Sequence, residues 1–287
     1  MSKTINTISK PDWLKVKAFG GKKYLEVMSL IKENNLHTVC QEANCPNRGE
    51  CFTSGTATFL IMGPNCTRNC RFCDIATGKT TPLDPTEPLR VARAVKLMKL
   101  EHAVITSVNR DDLPDGGAIQ FVRVIRTLRR QDNKLTIEVL TPDFRGNEEA
   151  ILAVLDASPD VYNHNVETVP RLYRTVRPAA KYEQSLRLLE LISGQHVSVK
   201  SGLMVGLGET VTELEQVFKD MRQVGVEFLT IGQYLSPSKK HHPVIKYYSP
   251  SEFDQLADSA RRCGIENVYS GPLVRSSYHA GEKFLSK

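Results

Sequence analysis

The sequence predicts an α/β fold in which six βα units curl into an incomplete parallel barrel or an open sheet. Three observations carry that expectation. Short runs rich in β-branched residues recur along the chain, each followed by roughly ten to fifteen residues of helical periodicity. Crossovers between parallel strands are right-handed, so successive units wind in one sense. Composition agrees: 287 residues with 40% hydrophobic and 24% charged content exclude a disordered or fibrous chain, and single α/β barrels are common at this length.

Residues before Thr58 read as an N-terminal extension with one helix at 22–34 and a loop holding three cysteines. The six strands are predicted at 58–62, 103–107, 135–140, 161–165, 197–205 and 228–232. Segment 77–88, TGKTTPLDPTEP, is a proline-rich connector. A helix at 89–100 follows from the spacing of Val91, Val95 and Met98. The clearest helix is 210–224, where Leu214, Val217, Phe218 and Met221 fall at i, i+3, i+4 and i+7 behind a Thr210/Glu213 capping box. From Ser249 the chain reads as a helix, a short strand at 267–269 and a tail. The expected division is an extension over 1–55, a barrel over 56–248 and a C-terminal extension over 249–287.

In such a fold, function belongs at the carboxyl ends of the strands. Polar residues gather there: Ser107, Asn109, Arg110 and Asp111 after the second strand, Asn163, Asn165 and Glu167 near the end of the fourth, Gln233 and Tyr234 after the sixth. The net charge of +6 permits an acidic partner. No basic stripe with interleaved aromatics predicts nucleic-acid binding. No run of 18 apolar residues predicts a membrane span, and the N-terminus lacks a signal-peptide core, so a cytoplasmic setting is expected.

Six of the seven cysteines lie between Cys40 and Cys73. A chain of this size needs no disulfide staples, so such a patch points to metal. The run CTRNCRFC sets Cys66, Cys70 and Cys73 in the spacing C-x3-C-x2-C, just after the first strand. Three thiolates suit a [4Fe–4S] cubane with one iron left open for chemistry. Structural zinc closes with four ligands, and no fourth cysteine or histidine lies nearby. The run CQEANCPNRGEC sets Cys40, Cys45 and Cys51 in the spacing C-x4-C-x5-C, again one ligand short of a cubane. Cys263 is the arithmetic candidate for that ligand, but its place at a helix end before Gly264 reads as a small buried hydrophobe.

The spacing of Cys66, Cys70 and Cys73, their position after the first strand and Phe72 before the third cysteine together resemble the radical S-adenosylmethionine superfamily. The resemblance implies a partial (β/α)6 barrel, with the open iron chelating S-adenosylmethionine and Phe72 near the adenine. Adding the upstream cysteine group, RSSYHA at 275–280, NRDDLPDGGA at 109–118, YNHNVETV at 162–169, SGLMVGLGE at 201–209 and GQYLSPSKKHHPV at 232–244, the chain resembles the lipoyl synthase family over nearly its whole length.

That resemblance implies a second [4Fe–4S] cluster on Cys40, Cys45 and Cys51 with Ser277 as its fourth ligand, sacrificed to supply two sulfurs to C6 and C8 of an octanoyl chain on a carrier lysine. Those carbons carry no acidic proton, so a radical must begin the reaction. The implied partners are octanoylated lipoyl carrier domains, of a 2-oxoacid dehydrogenase E2 or the glycine cleavage H protein, and an electron donor such as flavodoxin or ferredoxin. Gly116 and Gly117 match the glycine pair that faces the methionine amino group, although the usual following glutamate is Ala118 here. Asn165 and Glu167 match the ribose-binding positions. His164 between them is expected to point away and be structural, and Arg177 to meet a carboxylate or a carrier surface, or to be a solvated surface residue. Lys239, Lys240, His241 and His242 suggest a basic docking face.

Other readings remain open on the residues alone. Biotin synthases lack the pairing of the upstream group with RSSY, and RNA methylthiotransferases carry an extra domain for which no residues remain. A two-cluster electron carrier would fill each cluster's cysteine coordination and need no barrel.

Overall fold

The computed structural model describes residues 9–16, 20–278, 280 and 281. The first eight residues, which bear on the reading of the N-terminus, and His279 of the RSSYHA run lie outside the described residues. One eight-stranded sheet forms the centre, in the order β1 (His37–Thr38), β2 (Thr58–Ile61), β3 (His102–Ser107), β4 (Thr136–Leu140), β5 (Val161–Asn163), β6 (Ser198–Val205), β7 (Phe228–Gln233) and β8 (Asn267–Gly271). Strands β2 to β8 are parallel and pair in chain order, while β1 joins the edge of β2 antiparallel. The sheet therefore ends at β1 on one side and β8 on the other, a partial barrel rather than a closed one.

All six predicted strands are present as β2 to β7, within one to two residues at their ends. Two differences matter for the site. Strand β2 stops at Ile61 because Met62 turns to φ 70°, so the chain leaves the rim sooner than predicted. Strand β5 stops at Asn163, and Asn165 and Glu167 lie on the turn beyond it. The predicted strand near 267–269 is β8, which extends the same sheet, whereas the two-residue β1 is too short to leave a periodic signal.

The helices in chain order are α1 (Lys22–Glu33), α2 (Val39–Glu42), α3 (Arg48–Thr53), α4 (Glu87–Met98), α5 (Ala118–Gln131), α6 (Glu148–Asp156), α7 (Tyr173–Val176), α8 (Tyr182–Ile192), α9 (Val211–Gln223) and α10 (Pro250–Arg262). Helix α9 begins with the predicted Thr210/Glu213 capping box, and α10 repeats the device with Ser249 and Glu252 ahead of Pro250. Each longer helix buries one stripe: Leu214, Val217, Phe218 and Met221 of α9, and Phe121, Val124, Ile125 and Leu128 of α5, are wholly enclosed. Burial of one such side chain contributes about 1.5–3 kcal/mol, which is why the crossover helices stay on the sheet. The strands are buried on both faces, as parallel strands between helices and an internal site must be. Register brings Ile61 opposite Ser107, Leu140 opposite Asn163 and Val205 opposite Gln233, so the carboxyl ends form one rim.

Candidate functional site

A cavity of about 640 Å³ opens at this rim, and both cysteine loops reach it. Cys66, Cys70 and Cys73 line it from one side, Cys40, Cys45 and Ser277 from another. Its remaining wall is largely apolar, including Leu60, Ile75, Val108, Leu140, Met204 and Leu235. A cavity of this size and character fits a small-molecule site.

The loop after β2 is closed on itself by local bonds. The Cys66 N–H donates to the Ala76 carbonyl at 2.8 Å, and the Gly78 N–H donates to the Cys66 carbonyl at 3.2 Å. The Arg71 N–H donates to Val176, which ties the loop to α7. The Cys66 sulfur accepts two backbone N–H groups, from Arg68 at 3.4 Å and Asn109 at 3.3 Å, which orient it on the loop. Phe72 lines the cavity beside Cys73, half-buried against the core.

Sequence reasoning did not anticipate what fixes this loop. Arg68 is buried and forks both ways: Nε and Nη2 donate to Asp111 at 2.6 and 2.9 Å, while Nη1 and Nη2 donate to Asp143 at 2.9 and 2.7 Å. Burial alone would raise the Asp143 carboxyl, but the bonds and charge of Arg68 bring it down to about 2. Breaking a buried pair leaves an uncompensated charge, at a cost of about 3–5 kcal/mol. Arg68→Ala is therefore expected to lower thermal stability steeply and to shed iron from the Cys66 loop first. An unaltered melting temperature would show that the clamp does not hold the loop.

Of the upstream cysteines, Cys40 and Cys51 sit on two short helices and Cys45 lies in the turn between them. Thr38 caps α2, which carries Cys40, by accepting the Gln41 N–H, and the Cys45 N–H donates to the Cys40 carbonyl at 3.2 Å. Cys51 lies on α3, packed through Phe52 against Tyr24 of α1. Asn44 donates to Asp74 at 2.5 Å, joining the two cysteine loops directly. The segment after β8 completes this group: Asn47 Nδ2 donates to the Leu273 carbonyl at 2.7 Å and Tyr278 donates to Glu50 at 2.9 Å. Among the described residues the Ser277 hydroxyl has no hydrogen-bond partner.

The donor sets fit iron–sulfur clusters. Burial pushes the Cys40 and Cys70 thiols up to about 11 and those of Cys51 and Cys73 to about 12, with neighbouring cysteines of the same triad adding to the rise. Thiols so placed stay neutral unless a strongly positive centre binds them. Cys51 does not line the cavity, but it feels Cys40 and Cys45 as like charges. Among the described residues, no three His, Cys, Asp or Glu side chains converge closely enough for one metal ion. Cys66, Cys70 and Cys73 all line the cavity, whereas of the upstream triad Cys40 and Cys45 line it and Cys51 joins them through their shared charge field.

Asn165, Glu167 and Arg177 also line the cavity. Glu167 takes φ 66° and is pinned to β6, its N–H donating to Gly202 and its carbonyl accepting from Met204. Burial raises its carboxyl, against the pull of Arg177 and Asn165. The reading of Arg177 as a solvated residue is corrected: it is buried, bonded to the Asn165 and Val166 carbonyls and stacked over Tyr173, and its charge faces Cys70.

The predicted glycine pair lies at the start of α5. Neither Gly116 nor Gly117 lines the cavity; Gly116 packs on Phe144 in a separate surface hollow. Gly117 begins α5 at φ 89°, where a Cβ would lie 2.3 Å from the Met62 sulfur. At the end of β3, Ser107, Val108 and Asn109 face the cavity instead, a place the rim pattern had marked. Cys263 ends α10 against Glu215 of α9, away from the cavity.

His164 is buried and bonded to the Thr141 carbonyl and Ser185, although it also lines part of the cavity. Burial, then the charge of Arg177, depresses its pKa to about 4. Because the folded value lies below the unfolded one, this contribution to stability is full above about pH 6.5 and is lost as pH falls toward 4, a loss of about 3 kcal/mol. Denaturant titrations should show His164→Gln flattening the decline between those pH values; an identical decline would clear this histidine of the effect.

A family model for the radical SAM superfamily matches residues 60–221. The chain is 53% identical over 279 residues to the lipoyl synthase of Methylococcus capsulatus, covering 96% of this chain and 87% of that one. It is 55% identical over 274 residues to the lipoyl synthase of Nitrosococcus oceani, covering 94% and 85%. Among solved structures it is similar in fold to Streptococcus suis SuiB bound to S-adenosylmethionine, with a TM-score of 0.57 at 10% identity, covering 73% of this chain and 49% of that one. Methylornithine synthase gives a TM-score of 0.55 at 14% identity, covering 85% and 74%.

Proposed function

The chain belongs to the lipoyl synthase family of the radical SAM superfamily, and from that premise we propose how its two cysteine loops and C-terminal strap divide the work. The reaction is radical-mediated insertion of two sulfur atoms at C6 and C8 of a protein-bound octanoyl-lysine, using two S-adenosylmethionine and sulfides from an auxiliary [4Fe–4S] cluster, and giving lipoyl-lysine, 5′-deoxyadenosine and methionine. Cys66, Cys70 and Cys73 hold the cluster that engages S-adenosylmethionine, with Phe72 flanking it and Asn165 and Glu167 reading the ribose. Cys40, Cys45, Cys51 and Ser277 hold the auxiliary cluster. Gly116 and Gly117 support α5, and the backbone of Ser107 to Asn109 takes the place first given to them.

The observation that carries this division is the shared cavity: two cysteine groups, one apolar wall and a bound pair of loops, Asn44 to Asp74, leave room for one chain between two clusters. The protein's share is to orient that chain and exclude water and stray hydrogen donors. Residues 1–55, 56–248 and 249–287 then act as the auxiliary-cluster arm, the cofactor barrel and the strap that completes the arm.

The partners we assign are octanoylated lipoyl carrier domains, from a 2-oxoacid dehydrogenase E2 or the glycine cleavage H protein, and a flavodoxin or ferredoxin as reductant. Free cysteines suit the reducing cytoplasm, and among the described residues no helix is long and apolar enough to cross a membrane. Lys239 and Lys240 are exposed on the turn after β7, close to the Cys73 loop. The rings of His241 and His242 are tied to the Cys73 and Leu207 carbonyls instead. Reversing both lysines to glutamate is expected to lower the rate on an acidic carrier about tenfold while sparing an octanoyl-lysine peptide. An unchanged, salt-insensitive rate on the carrier would remove the docking assignment.

Anaerobic reconstitution with iron and sulfide, followed by reductant, S-adenosylmethionine and an octanoyl-lysine peptide, tests the whole reading. About eight irons per chain, deoxyadenosine and a gain of two sulfurs less two hydrogens are expected. Deoxyadenosine without sulfur transfer would overturn the auxiliary-cluster assignment alone.

A further inference from the structure

The two serines of RSSY are treated differently by the fold. Both line the cavity, but Ser276 is also locked onto Asn165: Asn165 Nδ2 donates to Ser276 Oγ at 2.7 Å, and the same hydroxyl lies 3.0 Å from Asn165 Oδ1, to which it donates. The other Nδ2 hydrogen goes to Glu167 Oε1 at 3.2 Å. The bed for this contact is made by glycines on adjacent strands. A Cβ on Gly202 of β6 would lie 2.9 Å from Asn165 Oδ1 and 3.2 Å from Ser276 Oγ, and one on Gly232 of β7 would lie 2.2 Å from the Val274 carbonyl. Real Cβ atoms do not approach that closely, so the strap rests on the inner face of the sheet only because both positions lack side chains.

The two sides of the contact differ in rigidity. Glu167 is fixed by backbone bonds to β6 on both flanks, with Arg177 as its charge partner. Among the described residues the strap after Gly271 joins no strand; its backbone bonds are local turns, Val274 to Gly271 and Tyr278 to Arg275, and its longer-range ties are side-chain bonds such as those of Asn47, Tyr278 and Ser276.

We propose that Ser276 is a latch that positions Ser277: it holds the strap on the amide of Asn165, so that cofactor binding at Asn165 loosens the strap that carries the auxiliary-cluster ligand. Both Nδ2 hydrogens of Asn165 are committed, one to Ser276 and one to Glu167. A ribose oxygen that accepts from this amide displaces one partner, and the strap yields before the strand-bound Glu167. Arrival of S-adenosylmethionine therefore prepares the alkoxide end of the auxiliary cluster for release, and by linkage an intact auxiliary cluster weakens cofactor binding by the same factor. This rests on the assignment of Asn165 to the ribose and of Ser277 to the auxiliary cluster.

The test is hydrogen–deuterium exchange over residues 272–278 of the anaerobic, reconstituted holoenzyme, with S-adenosylmethionine but no reductant, alongside the rate at which a chelator removes iron. In the wild type the cofactor is expected to speed strap exchange and iron loss about fivefold, the worth of one hydrogen bond. Ser276→Ala is expected to show the faster rates without cofactor and little further response, and Ser276→Thr, which keeps the hydroxyl, to restore the response. Melting curves of both variants separate loss of the latch from loss of fold. A wild-type strap that the cofactor protects or leaves unchanged overturns the latch, as does a Ser276→Ala strap that exchanges like the wild type. Reductant added to the same samples reads the premise separately: deoxyadenosine with an unresponsive strap sinks the latch only, whereas no deoxyadenosine sinks the cofactor assignment.

Discussion

Alanine at Cys66, Cys70 or Cys73 is expected to lower 5′-deoxyadenosine formation at least about a thousandfold, well beyond the 10–100-fold typical of residues outside a ligand set. The three positions are not redundant. Cys66 is the corner oriented by two backbone N–H donors, whereas Cys70 and Cys73 are buried thiols that ionise only against a bound positive centre. With one corner gone, two thiols must hold a cluster that the cofactor itself also pulls on. No other cysteine can step in, because Cys263 lies against α9 and the second triad belongs to a separate loop. Iron should fall from about eight to about four per chain, with the remaining iron resisting a chelator as the auxiliary cluster does. Cleavage surviving at a tenth of the wild-type rate in any one variant would refute the assignment of that cysteine.

The barrel was legible in the sequence because each βα unit repeats two periods, β-branched runs and amphipathic stripes, and these depend on burial alone. Helix α9 is the clearest instance, since its capping box and four-residue stripe are both local. The cysteine triads were legible as triads, for their spacing is a property of short loops. What the sequence did not disclose are contacts between distant segments. Arg68 bonds to Asp143, 75 positions on, and Ser276 bonds to Asn165, 111 positions back; neither leaves a mark in local pattern. Arg177 looked like any surface arginine until the fold enclosed it against Tyr173. For Gly116 and Gly117 the sequence could not separate a turn from a ligand contact, since glycine pairs serve both, and the turn that opens α5 uses their positive φ.

Changes in the second triad should separate two events that the first cannot. Alanine at Cys40, Cys45, Cys51 or Ser277 is expected to leave deoxyadenosine formation within about threefold of the wild type while thiolated product falls below detection, because the Cys66 loop is closed by its own bonds to Ala76, Asn109 and Val176. Ser277 carries the sharper form of the test. Its hydroxyl faces the cavity unpartnered among the described residues, so Ser277→Ala removes a ligand without orphaning a neighbour. Ser277→Cys supplies a softer donor that binds iron more tightly than an alkoxide. That variant is expected to assemble a full complement of iron and to lose it to a chelator more slowly than the wild type, yet to thiolate the octanoyl peptide at least about tenfold more slowly, since the cluster must come apart to deliver sulfur. Parallel assays of iron release and product mass decide the matter. If Ser277→Cys thiolates as fast as the wild type, the labile alkoxide is not what times the release of sulfide, and Ser277 is a structural tail residue.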